Sequence, residues 1–141
     1  MPRPATLRRR VLAVFDDRAA ADRAAAAARR AGATVVERLE GSAAADAIDA
    51  TGARRGVMAR VGRAVQFSVE DQMPALAWYE AALRDGRVVL AIPTSRRDQT
   101  LAVVAALQAN GGHFINRFGG LETEEFARWR GVEPDVSSLL K

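Results

Sequence analysis

The run Arg87-Val88-Val89-Leu90-Ala91-Ile92 has the length of a strand and no polar–apolar alternation, and it constrains this chain more than any other feature. A strand with one wet face alternates, whereas an unbroken apolar run suits a strand covered on both faces or central in a sheet. Gly86 stands just ahead of it, where a helix stops in the left-handed conformation that glycine adopts cheaply. Pro93 has no N–H for a ladder and should end the strand. Thr94 or Ser95 is then placed to cap a helix reaching Asn110, with Leu101, Val104 and Ala105 inward and Val103 and Leu107 widening that face. Asn110-Gly111-Gly112 stops it. His113 to Phe118 follows with a period of two, His113, Ile115 and Arg117 against Phe114, Asn116 and Phe118. The unit is strand–helix–strand, and its two strands should run parallel.

The N-terminal third repeats the pattern. Arg10 to Phe15 (RVLAVF) reads as a buried strand, and Asp16-Asp17 can cap the next helix and set negative charge at its positive end. That helix should run to Ala31 and stop at Gly32, and Ala33 to Leu39 (ATVVERL) should form another strand. Its inward side is almost all alanine, so each contact buries few methylenes and the helix must sit very close to the sheet. Two such units in tandem predict an α/β (α+β) chain of ferredoxin-like βαβ-βαβ type, with a four-stranded sheet.

Between the halves, residues 42–85 form an insert too long for a loop. Ser42 to Asp49 predicts a short helix, broken at Thr51-Gly52. A basic amphipathic helix follows over 54–67, with Val57, Met58, Val61, Ala64 and Val65 on one side. Ser68-Val69-Glu70-Asp71 has capping-box spacing and opens a third helix running to Arg84, with Leu76, Trp78, Tyr79 and Leu83 as its large side chains. After the fourth strand, Thr123 is expected to cap a last helix, Glu124 to Arg130, closed by Gly131. The resulting division is a flexible basic arm at 1–9, a single domain at 10–120, and a C-terminal helix and tail at 121–141.

Composition removes several chemistries. The 141 residues suit one domain, and the 49% apolar content argues against disorder. With no cysteine there are no disulfides, thiolate nucleophiles or cysteine zinc sites. The single histidine, His113, rules out a multi-histidine metal site within one chain. No signal peptide and no membrane span is legible, so a soluble cytoplasmic protein is expected. The pI of 10.8 accompanies a net charge of only +4. It reflects one lysine, one tyrosine and otherwise arginine, which leaves almost nothing to titrate above neutral pH. Polyanion binding is compatible with that number but not required by it.

VLAVFDD at 11–17, Gly41…Ile48-Asp49…Gly52 leading into GVMARVGRAVQ at 56–66, Tyr79-Glu80-Ala81-Ala82-Leu83, Gly86 to Ala91, and Gly111-Gly112-His113-Phe114 together resemble a family of small bacterial domains related to general-stress (heat-induced stress) proteins. The resemblance covers residues 10–120. It implies the ferredoxin-like fold with its helical insert and a stress-associated role, and it brings no ligand or reaction with it.

Four groups are candidate sites. His113 with Asn116 and Arg117 is a polar cluster on a predicted strand, where a histidine can serve as a base or join an arginine in holding an anion. The plainer alternative is a strand-edge histidine bonded to backbone. Tyr79-Glu80 can line a cleft between insert and sheet, or Tyr79 and Trp78 can be core aromatics with one wet end. Arg54, Arg55, Arg60 and Arg63 can face an anionic partner or be the solvated side of a packed helix. Asp16 and Asp17 sit at the carboxyl end of a strand, where sites occur in α/β folds, but a helix cap explains them. No phosphate-loop, nucleophile-elbow or metalloprotease motif is present, and no cofactor is implied. RNA recognition would want exposed aromatics on central strands, so a nucleic-acid partner is disfavoured.

The reading is a cytoplasmic stress-associated binding or regulatory module. It is expected to act as a homo-oligomer, a dimer, through a sheet face left uncovered, with a small-molecule ligand left open. Two alternatives stand beside it. One is a cofactor-free enzyme with His113 as base at a sheet-floor pocket. The other is a polyanion binder through the basic helix.

Overall fold

A computed structural model describes residues 9–48, 76–119 and 123–134. The chain runs β1 (Arg10–Phe15), α1 (Arg18–Arg30), β2 (Glu37–Leu39), α2 (Gly41–Ile48), α3 (76–84), β3 (Val88–Pro93), α4 (Arg97–Ala109), β4 (His113–Phe118) and β5 (Thr123–Ala127). The predicted helix at 54–67, and Arg54, Arg55, Arg60 and Arg63 with it, lies outside the described residues.

Among the described residues the strands form one five-stranded sheet in the order β2-β3-β1-β4-β5, antiparallel at every contact. β1 is flanked by β3, from Arg10 against Pro93 to Phe15 against Val88, and by β4. β1 and β2 therefore run parallel but have β3 between them, and β3 and β4 run parallel with β1 between them. Each strand–helix–strand unit is split by a strand from the other half.

The apolar runs follow from burial on both sides. Val11, Ala13, Phe15, Val88, Leu90, Ile92 and Ile115 face α1 and α4, meeting Ala20, Ala21, Ala24, Ala28, Val103, Val104 and Leu107. Leu12, Val14, Val89, Ala91, Phe114 and Phe118 face α2 and α3, meeting Ala45, Ile48, Tyr79, Ala82 and Leu83. The expectation of an uncovered face is corrected here: within the described residues helices lie on both faces of the central strands.

The glycine stops behave as expected. Gly86 has φ +86°, its N–H bonds Leu83 O, and the Arg87 N–H reaches back to Ala82 O at 3.0 Å. This is the glycine helix terminus that satisfies the last carbonyls and turns the chain into a strand. The same pair of bonds closes α1 at Gly32 and α4 at Gly111.

Other expectations are corrected. The segment read as a C-terminal helix over 124–130 is strand β5, because pairing with β4 and packing of Phe126 and Ala127 against the core outweigh local helix propensity. β2 spans three residues instead of seven. Neither Thr94 nor Ser95 caps α4: the N-cap is Arg96, with no side-chain bond. The buried face of α4 is Thr100, Val103, Val104 and Leu107, which turns Leu101 outward at 46% exposure.

Candidate functional site

A bulge in β4 sets the geometry of the polar groups. Leu12 pairs with Asn116 and Val14 with His113, so Ala13 alone on β1 faces Phe114 and Ile115 on β4. Phe114 takes up the extra residue with φ +46°, a left-handed conformation that is costly for a side chain with Cβ. One inserted residue reverses the alternation beyond it. Paired residues share a face, so His113 lies on the side of Val14, with Phe114 and Asn116, instead of with Ile115 and Arg117 as the period of two predicted.

Tyr79 of α3 closes the bulge. Its hydroxyl is 2.7 Å from Phe114 O and 3.0 Å from Leu12 O, and it accepts from Asn116 Nδ2 at 3.0 Å. The hydroxyl thus supplies a donor where the β1–β4 ladder is interrupted, and Asn116 fills its lone pair. Burial pushes the phenol far up, so it stays protonated.

His113 is 2% exposed, yet both ring nitrogens are engaged. The Arg130 backbone N–H donates to Nδ1 at 3.2 Å, and Nε2 lies 2.8 Å from Asp16 Oδ1. A backbone N–H can only donate, so Nδ1 carries the lone pair and Nε2–H donates to the carboxylate. Arg87 Nε joins the same Asp16 oxygen at 3.0 Å, and its guanidinium also meets Asp85 and lies 5.4 Å over the Trp129 ring. Trp129 stands edge-to-face on the imidazole at 4.9 Å and meets Trp78 at 5.6 Å and Phe114 at 5.8 Å. Burial lowers the imidazole pKa from its ordinary value, against the pull of Asp16. Burial works to raise the Asp16 carboxyl, but the hydrogen bonds from His113 and Arg87 outweigh it and hold that group low.

The candidate residues are distributed over four places. Tyr79 and Asn116 meet at the bulge. His113 joins Asp16 at the sheet end. Glu80 is buried with Arg84, which also reaches Asp46 Oδ1 at 2.8 Å and so links α3 to α2. Arg117 clamps Thr94, Nε to Oγ1 at 3.0 Å and the terminal nitrogen to the carbonyl at 2.8 Å. His113, Asn116 and Arg117 are therefore not one cluster.

Sequence reasoning placed Asp16 and Asp17 together as caps. Asp17 does cap α1, accepting from Ala20 N at 2.8 Å, while Asp16 turns to His113. Arg87, Trp129 and Arg130 were not found. The one available signal was that the lone histidine opens one buried strand while an acid directly follows another.

In the ground state this corner is a closed hydrogen-bonded unit. For His113 to act as a base, Nδ1 must first part from Arg130. Among the described residues no group of three acidic or histidine side chains could hold a metal ion, and no helix is long and apolar enough to cross a membrane. No protein-family model, curated protein or solved structure matches the chain.

Proposed function

We propose that the chain is a small cytoplasmic binding or regulatory module, stress-associated as the resemblance implies, that acts as a homo-oligomer and not as an enzyme. The observation that carries this reading is the engagement of His113 at both ring nitrogens, by Asp16 and by Arg130 N–H. A general base needs a free lone pair within reach of a substrate proton. Arg117 on Thr94, and Asn116 on Tyr79, are likewise taken up in holding the sheet together.

The ferredoxin-like reading belongs here too. It is supported by the order β2-β3-β1-β4, in which each parallel pair is split, with β5 as an addition outside β4. β5 is an outer strand of the sheet, and an outer strand offers ladder groups to a second copy, which supports the oligomeric part. Size-exclusion chromatography with light scattering tests it: a dimer mass is expected, and a strict monomer at high concentration removes that part. Native mass spectrometry of protein from its own cells tests the binding part by revealing any retained small molecule.

A cofactor-free enzyme with His113 as base is the second reading. The part-buried His113–Asp16 contact at 2.8 Å favours it. Loss of a measured turnover on His113→Gln, with the fold intact, would make it the first.

A further inference from the structure

The stretch that trails β5 is held to the sheet partly by an imidazole in place of a backbone carbonyl. Phe114 N–H donates to Arg128 O at 2.9 Å, which extends the β4–β5 ladder. Two residues on, Arg130 N–H finds His113 Nδ1. A carbonyl keeps its lone pairs at every physiological pH, but an imidazole nitrogen does not. The other ring nitrogen already carries a proton and gives it to Asp16. The only ring position open to a second proton is the atom that holds Arg130.

We propose that His113 is a proton-operated latch: a second ring proton, taken at Nδ1, releases the 128–130 stretch with Trp129, while the ring stays bound to Asp16. The charges around the ring make release the favoured response. Asp16, from the end of β1, attracts the imidazolium. Arg87, ahead of β3, and Arg130 repel it, although Arg87 is itself bound by Asp16 and Asp85. The Arg130 guanidinium is bonded to Gly111 O at 2.9 Å, so in the closed state it is kept close. Opening carries Arg130 and the Trp129 ring away, which removes one repulsion and admits water to the ring. The proton therefore binds the open form more tightly, and by linkage it drives opening. What opening uncovers is aromatic: Trp129 covers Trp78 and Phe114.

Amide hydrogen exchange by NMR on the full chain, between about pH 5 and 8 where histidine titrates, tests the latch. As pH falls from the open ring's ordinary value near 6.5 toward the lowered value of the closed ring, the protection factor of the Arg130 amide should fall about tenfold per pH unit, as one coupled proton requires. The amides of Ala13 and Leu90, in central strands, should keep theirs. The latch is overturned if Arg130 protection stays constant while the ring titrates. It is equally overturned if the core amides open together with Arg130, or if the ring takes no second proton before the core opens. His113→Gln offers an oxygen to Arg130 and an N–H to Asp16 without titrating, so its Arg130 protection should be flat with pH, and a wild-type slope in that variant also refutes the latch. Should that variant not fold, the wild-type comparison of Arg130 with Ala13 and Leu90 decides alone.

Discussion

The two faces of the central sheet are packed by opposite means. On the α1/α4 face the helices present alanines, two valines and one leucine, Leu107, with four buried alanines in α1 alone. Beyond Leu107 the helix side chains there are small, so much of the energy is spread over close approach of the helix backbones to the sheet. On the α2/α3 face a few rings do the packing: Trp78 stacks on Phe114 at 5.0 Å, and Tyr79 meets Phe114 at 5.0 Å and Phe118 at 5.9 Å. A hydroxyl and an amide are fixed among them. Helices with small inward side chains have little to lose by deletion and no room for addition. A face of rings is the reverse, and it can hold polar groups in place because large side chains exclude water around them.

Phe118→Ala is the harshest way to break this contrast. It should cost about 3–5 kcal/mol in chemical denaturation, the range for removing a buried phenylalanine. A loss no greater than that of Val104→Ala would put the two faces on equal terms. On the alanine face the sensitive direction is insertion: Ala24→Leu should destabilise by about 1–3 kcal/mol through overpacking, with the denaturant midpoint as readout. Tyr79→Phe keeps the ring and removes only the hydroxyl. It should cost about 1–3 kcal/mol, because the Leu12 and Phe114 carbonyls and the Asn116 amide lose their partner inside the core. An unchanged midpoint for that variant would mean that shape alone holds the aromatic face.

The smallest effect is pH dependence. Burial puts the folded pKa of His113 below its unfolded value near 6.5. Its contribution is therefore whole above that value and declines as pH falls from there toward the folded pKa, because the unfolded chain takes the proton first. Asp16 is depressed as well, so its contribution persists until pH falls below the ordinary carboxyl range. Thermal melts from neutral pH downward should show a shallow fall that His113→Gln abolishes, leaving only the carboxylate-driven loss at lower pH.

The regular elements were legible because their signals are local. Gly32, Gly86 and Gly111 mark helix stops, and the unalternating runs at 10–15 and 87–92 mark central strands. What was not legible depended on partners distant in sequence. Thr123-Glu124-Glu125-Phe126-Ala127 carries a cap and helix-favouring glutamates, and only the exposed side of β4 makes a strand of it. The bulge at Phe114 has no glycine to announce it, so the reversal of His113 to the aromatic face was invisible. The candidate cluster of His113, Asn116 and Arg117 failed for that reason, and Asp16, 97 residues away from His113, could not be matched to it by spacing.

The first strand among the described residues, β1, lies in the middle of the sheet. As the polypeptide leaves the ribosome, β1 and β2 emerge early but share no border, since the strand that belongs between them is β3. The N-terminal half cannot complete any sheet until Val88 and the residues after it have been synthesised. A truncation after β2 should therefore leave β1 and β2 without the strand that joins them, and the two halves, expressed as separate polypeptides, carry complementary gaps and should assemble with each other.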